Sequence, residues 1–405
     1  MAVALFARSG TIQIKIMRKK TILAKKSLVR LALWFYGNKF VKKQIKLVHD
    51  GMLNKIKPPY IVVANHSSFV DVGALMKMMY PRCANFVISE TQKVQWPSLI
   101  NHMGILPKKQ FTVDMSLISG IKYCLQKKRP VAIYPEAKLS VVGVPNIIKP
   151  SVAKLVKMFK VPLVTVCFHG SYLHHPRWAH SKRFLPVTAD VKLAVDVEEA
   201  KTISAEEIHK RIVDNLTYDD YAYQLENKIE IDVPDLVEGL EHVLYKCENC
   251  GAEFAMTASG NTLTCAKCGQ TVTMDKYGVL HGGKFSSVPE WYRWETECVH
   301  DEIYFGTYRY VKTFAAQKLV KKKYVDLGNA EIKHDASGIT VRFQDGGELI
   351  YPEGMFYTLS FNNDYVYLPT AEAVYRFKRL SDVGCTTKLN LAVEQQTIIL
   401  EKTKL

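Results

Sequence analysis

Residues 65–71 read Asn-His-Ser-Ser-Phe-Val-Asp and follow directly on the apolar run Ile61–Ala64. A carboxylate that accepts a hydrogen bond from a histidine Nδ1–H fixes the tautomer and leaves Nε2 free to act as a base. Spacing alone does not establish such a pair, because His209 and Asp214 share it inside the segment SAEEIHKRIVDNL. Five residues along a helix turn through about 500°, which leaves those two side chains about 140° apart. His66 differs because it lies at a strand-to-helix turn. Ser68 reads as the N-cap of the following helix, with Asp71 as the acid at its third position. Two readings stay open on these residues: a catalytic His66–Asp71 pair, or a capping aspartate beside an ordinary turn histidine.

A second chemical pattern is Cys247-x2-Cys250-x14-Cys265-x2-Cys268, with Gly251 and Gly269 directly after the two pairs. Two tight Cys-x2-Cys turns aim four thiolates at one centre, the tetrahedral set favoured by structural Zn²⁺. With four cysteines and no open position, such a metal is structural. Redox pairs or an iron–sulfur site are the alternatives. The other five cysteines (Cys83, Cys124, Cys167, Cys298, Cys385) are scattered. That pattern points to a reducing, cytoplasmic compartment.

Three stretches taken together are similar to sequence blocks of the glycerolipid acyltransferase superfamily, the lysophosphatidate (1-acylglycerol-3-phosphate) acyltransferases among them. Asn65, His66, Ser68 and Asp71 match the first block. Tyr134, Pro135, Glu136 and Ser140 match the third. Val161, Pro162 and Val164 match the fourth. The resemblance covers roughly residues 45–225. It implies transfer of an acyl group from a thioester, acyl-CoA or acyl carrier protein, to a hydroxyl of a lysophospholipid, glycerol-phosphate or related lipid. His66 is then the general base and Asp71 its orienter. Glu136 helps to position the acceptor, or else is an acid making a backbone contact at a strand end. Asn65, Ser68 and Pro162 lie in the substrate-binding blocks, and no catalytic cofactor is implied.

The chain departs from the family pattern where the acceptor's phosphate is bound. Ala137, Lys138 and Leu139 replace Gly, Thr and Arg of the third block, and Asp114 falls where the second block carries an Arg. Lys108, Lys109 and Lys138 could supply the missing charge, but as point charges rather than bidentate forks.

The elements that must position these residues are legible as patterns. Strand-like runs at Tyr60–Ala64, Asn85–Ser89, Val131–Tyr134 and Leu163–Phe168 alternate with helix-like segments at Val72–Met79, Met115–Gln126 and Ser151–Phe159. That alternation predicts an α/β domain, with a mixed sheet flanked by helices, over residues 50–235. A zinc ribbon is expected over residues 236–285. Alternating segments with Gly- and Asn-rich turns predict an antiparallel β domain over 286–405. A small barrel like a pleckstrin-homology domain, capped by a terminal helix, would suit this stretch. The segment LNLAVEQQTIIL reads as a helix or a last strand.

Residues 1–49 form a basic arm, with 12 Lys or Arg and no Asp or Glu, although the chain's formal net charge is +16. The remaining 43 Lys and Arg are nearly balanced by 39 Asp and Glu. Residues 17–48 read as an amphipathic helix broken at Gly37, either lying in a membrane interface or docked on its own domain. The arm could also attract an acidic acyl carrier protein. Neither a spanning helix nor a secretory signal is expected. The resulting expectation is a protein peripheral on the inner face of the cell membrane. The rival reading is a catalytically weak lipid- or nucleic-acid-binding zinc-ribbon protein. It leaves the acyltransferase blocks unexplained, and nucleic acid is not the expected partner.

Overall fold

The structure, a computed structural model, describes residues 23–36, 47–48, 51–89, 103–108, 114–321 and 323–403. Its first part is a seven-stranded mixed sheet in the order β1-β7-β6-β2-β5-β3-β4. The strands are β1 (Leu47–Val48), β2 (Ile61–Ala64), β3 (Asn85–Ser89), β4 (Ile105–Lys108), β5 (Val131–Ile133), β6 (Leu163–His169) and β7 (Val187–Val195). All neighbours run parallel except β6 and β7.

The helices of this part are α1 (Lys26–Tyr36), α2 (Val70–Met79), α3 (Met115–Gln126), α4 (Ser151–Phe159), α5 (Ser171–His174), α6 (Glu199–Thr202), α7 (Ala205–Asn215) and α8 (Asp220–Glu226). Their apolar faces cover both sides of the sheet, which is why β2 is apolar at every position rather than alternating. Ile61 and Val63 join a core with Ile121 of α3, Val156 of α4 and Ile208 of α7. Val62 and Ala64 point the other way, toward Leu75 and Met78 of α2.

A small four-stranded sheet follows, in the order β11-β10-β9-β8. It comprises β8 (Met256–Ser259), β9 (Thr262–Cys265), β10 (Thr271–Met274) and β11 (Leu280–His281). Next is α9 (Val288–Tyr304), whose start is set by a complete capping box between Ser287 and Glu290.

The last sheet is antiparallel, in the order β15-β14-β13-β12-β18-β17-β16. Its strands are β12 (Tyr310–Val320), β13 (Lys323–Asp335), β14 (Gly338–Phe343), β15 (Glu348–Pro352), β16 (Ser360–Phe361), β17 (Tyr365–Pro369) and β18 (Val374–Arg379). The chain ends in α10 (Cys385–Thr403), so LNLAVEQQTIIL is helix and not strand. Seven antiparallel strands in two meanders followed by a helix agree with the antiparallel β domain expected from the sequence; with no pairing between β15 and β16 among the described residues, the sheet is a half-barrel.

One apolar cluster crosses the boundaries drawn at 235 and 285. It joins Tyr172 and Trp178 of the first part to Met256 and Leu263 of the small sheet, Phe314 and Phe377 of the last, and Leu389 of α10. Of the basic arm, the described residues hold only α1, β1 and the short stretch before α1. The break expected at Gly37 lies outside them.

Candidate active site and metal centre

β2 has β5 on one side and β6 on the other, all parallel, with Val63 opposite both Ile133 and Thr165. The three loops that leave their C-terminal ends therefore emerge side by side. They carry His66, Glu136 and Ser171. Open parallel sheets place their sites at this edge.

His66 is held by its backbone from the loop after β5. Its N–H donates to Glu136 Oε1 at 2.8 Å, and its carbonyl accepts from the Ser140 N–H at 2.7 Å. Its ring stacks on Tyr134 with centroids 4.3 Å apart. Nδ1 lies 3.4 Å from Asp71 Oδ2. The imidazole is partly exposed, at 17%, whereas Asp71 is fully buried.

Ser68 stands ahead of α2 as the capping pattern predicts: Phe69 already has helical dihedrals (φ −63°, ψ −17°), and the Ser68 hydroxyl accepts the Val70 N–H at 3.4 Å. The acid reaches back in turn: Asp71 Oδ2 accepts the N–H groups of Ser67 (2.7 Å) and Ser68 (2.8 Å). Its other oxygen accepts the Ser171 hydroxyl. Asp71 is thus both a turn clamp and the partner of His66, so the two readings left open by the sequence describe one residue.

Glu136 sits differently from the acceptor-binding role. It is 1% exposed, with Oε1 on the His66 N–H and Oε2 on the backbone and side-chain amides of Asn146, both at 2.8 Å. Burial pushes its carboxyl above the ordinary range, against those hydrogen bonds. Its oxygens are spent on the loops that hold His66, which is the backbone contact named as the alternative.

Asn65 is likewise internal. Its amide pairs with Phe168 through Nδ2 to the carbonyl (2.8 Å) and N–H to Oδ1 (2.7 Å), extending the β2–β6 ladder by side chain. Ser68 is buried, and the Pro162 carbonyl accepts the Ile61 N–H at 3.0 Å. Asn65 and Ser68 thus belong to the turn that carries His66, whereas Pro162, just before β6 and beside the start of β2, lies at the opposite end of the strands.

Lys138 is neutralised. It pairs with Glu394 of α10 and lies over the Phe361 ring at 5.7 Å, with both charged side chains nearly buried. A lysine so paired cannot also serve a substrate phosphate. Lys108 ends β4 and is exposed, while Lys109 lies outside the described residues. His209 and Asp214 both lie on α7, where Asp214 pairs with Lys210 at 4.0 Å instead.

Ser171, Ser67 and Asn146 were not singled out from the sequence. The one available signal was weak: small polar residues at the ends of apolar strands.

The four cysteines converge. Their sulfurs lie within 4.8 Å of one another, with Cys247 to Cys268 and Cys250 to Cys265 both at 3.8 Å. A tetrahedron with metal–sulfur bonds of about 2.3 Å has edges of about 3.8 Å, so the set fits a four-thiolate metal and is too open for disulfides. Gly251 (φ +70°) and Gly269 (φ +75°) close the two turns in the left-handed region. Their N–H groups donate to Cys247 and Cys265 carbonyls at 2.9 Å. No helix among the described residues is long and apolar enough to cross a membrane.

Residues 40–169 match the family model described as Acyltransferase. No curated protein matches the chain. Among solved structures, the 1-acyl-sn-glycerophosphate (LPA) acyltransferase PlsC from Thermotoga maritima is similar at 17% identity and a TM-score of 0.37. The match covers 51% of this chain and 80% of that one. At that score the likeness bears on neither fold nor function.

Proposed function

Because residues 40–169 match the family model described as Acyltransferase, we propose that the protein transfers an acyl group from a thioester to a hydroxyl of a lysophospholipid-like acceptor. The observation that carries this reading is the His66–Asp71 pair. A partly exposed imidazole faces a fully buried carboxylate with Nδ1, and nothing among the described residues hydrogen-bonds to its Nε2.

In this mechanism Nε2 takes the proton of the acceptor hydroxyl. The hydroxyl oxygen bonds to the acyl carbonyl carbon, the carbon–sulfur bond breaks, and the departing thiolate takes the proton from the imidazolium. Help of this kind is worth about 10² to 10⁴ in rate. Asp71 holds the tautomer and stabilises the imidazolium. Glu136 fixes the loop that carries His66. Acyl-CoA or acyl carrier protein serves as donor, with the exposed Lys108 as a charge for an anionic acceptor.

The four cysteines hold one structural Zn²⁺ that takes no part in the reaction. Exposed apolar groups of the acyltransferase-like part suit a bilayer surface. On α1, Leu31 and Trp34 are exposed beside exposed Lys25, Lys26 and Arg30, and Phe69 is exposed three residues after His66. Cations near an anionic membrane contribute about 1 kcal/mol each, which supports peripheral docking on the cytoplasmic face.

The test is transfer of a labelled acyl group from acyl-CoA and from acyl carrier protein to a panel of lysolipids in vesicles. Product ester with the wild-type protein and none with His66→Ala supports the reading. Equal turnover by the two overturns it.

A further inference from the structure

Asp71 is one member of a longer line of buried polar groups. Its two oxygens are divided. Oδ2 faces His66 and takes the Ser67 and Ser68 N–H groups. Oδ1 takes the hydroxyl of Ser171, the first residue of α5, from 100 positions away. Ser171 and Asp71 are both 0% exposed, so water cannot replace either partner.

Ser171 is in turn placed by Asp220, also 0% exposed, at the start of α8. The Asp220 carboxylate straddles Ser171. Its Oδ1 accepts the Gly170 N–H at 3.0 Å and its Oδ2 accepts the Tyr172 N–H at 2.7 Å, the residues on either side. Gly170 lies at φ +76°, and a Cβ there would meet the Pro186 carbonyl oxygen at 2.5 Å. The turn that presents the hydroxyl therefore accepts no other residue before Ser171. The Asp220 N–H closes the line on the Gly143 carbonyl at 2.9 Å, three residues beyond Ser140, whose N–H holds His66.

We propose that Ser171 and Asp220 are positioning residues for the His66–Asp71 pair: Ser171 as the donor that fixes the Asp71 carboxylate, and Asp220 as the clamp that fixes Ser171. The proposal rests on the reading of His66 as the base. The Nδ1–Oδ2 separation is long for a hydrogen bond, at 3.4 Å. The bonds that hold the carboxylate, rather than its bond to the histidine, must therefore set its orientation. Removing the Ser171 hydroxyl leaves a buried carboxylate oxygen without its donor. The group must then rotate or take up a proton, and either change loosens its hold on the imidazole.

The test uses the full chain and the donor–acceptor pair on which the wild type turns over. It measures kcat, KM and thermal midpoint for His66→Ala, Ser171→Ala, Ser171→Cys, Asp220→Asn and the Ser171→Ala/Asp220→Asn double. Loss of one hydrogen bond to a buried charge predicts a fall in kcat of about 10- to 100-fold for Ser171→Ala. KM for both substrates should stay near wild type. Ser171→Cys keeps the volume with a weaker donor and should fall between wild type and Ala. Because Asp220 acts through Ser171, the double should lose no more than Ser171→Ala alone.

Wild-type kcat in both Ser171 variants overturns the inference, as do losses that multiply in the double. A rise in KM with kcat unchanged would make Ser171 a substrate-site residue and overturn it equally. If Asp220→Asn fails to fold, the two Ser171 variants decide alone. His66→Ala separates the two levels. If it is inactive while Ser171→Ala is fully active, only this inference fails. If it is fully active, the base reading fails with it.

Discussion

The two polar clusters of this chain are assembled in opposite ways. The cysteine cluster comes from residues 247–268, two turns of one short hairpin unit. The histidine cluster is drawn from three strand ends, with His66 bonded to Glu136 across 70 positions and Asp71 to Ser171 across 100. A cluster built locally announces itself by spacing, because each turn alone aims its two ligands. A cluster built across a sheet does not, because its geometry exists only once β2, β5 and β6 are side by side. The local cluster is gathered within one hairpin unit, and the distributed one by the packing of its loops.

Metal removal should separate the two most sharply. Structural zinc in small domains carries an apparent binding free energy of about 10–16 kcal/mol. Cys247 and Cys265 also lie in the apolar cluster shared with the last sheet and α10. Chelation, or Cys265→Ser, should therefore unfold the small sheet and loosen the last one, read by metal content and thermal melting. A metal-free protein with an unchanged melt would break the comparison.

His66→Ala should do the reverse. Its kcat should fall by about 10² to 10⁴, with a thermal midpoint close to wild type, since the turn is held by backbone bonds to Glu136 and Ser140 and the imidazole adds only the long Asp71 contact and the Tyr134 stack.

Lys138→Ala should cost stability rather than chemistry. Removing one partner of a buried pair costs about 3–5 kcal/mol. The loss should appear as a lowered melting temperature with kcat little changed, and Glu394→Leu added to Lys138→Met should restore it. A large loss of kcat at unchanged stability would return Lys138 to the acceptor site.

The smallest effect is expected at Ala137, which stands at φ +61° where the similar family block carries glycine. A left-handed alanine costs about 1 kcal/mol, so Ala137→Gly should raise the melting temperature slightly and leave activity intact.

Element by element, the sequence was legible where a periodic apolar pattern met a clear boundary. β3, α3 and α4 occupy the residues expected for them, because Asn85–Ser89 is a short run bounded by turns, and Met115–Gln126 and Ser151–Phe159 keep a helical period. The start of α2 was legible as well, because a serine three residues ahead of an acid is a capping pattern: the Ser68 hydroxyl accepts the Val70 N–H and Asp71 reaches back to the Ser68 N–H. What the pattern did not show is that the same carboxylate also faces His66 and Ser171. Asn65, Ser68, Glu136 and Lys138 were all legible as polar residues in telling places. Which way each one faced was not. The Lys138–Glu394 pair spans 256 positions and joins the loop after β5 to α10, a contact no local pattern encodes.

What the sequence determined by itself was whatever is set within a turn or two: strand and helix periods, the two cysteine turns with their left-handed glycines, and the spacing that lets Asp71 reach back to His66. These depend on dihedral preferences and side-chain reach along a single segment. Only the tertiary structure decided which buried carboxylate oxygen meets which donor. Asp71 faces His66, Glu136 grips the loop, and Asp220 brackets Ser171. A carboxylate taken out of water must satisfy its oxygens with the donors that packing brings near, and those donors come from strand ends that meet only in the folded sheet.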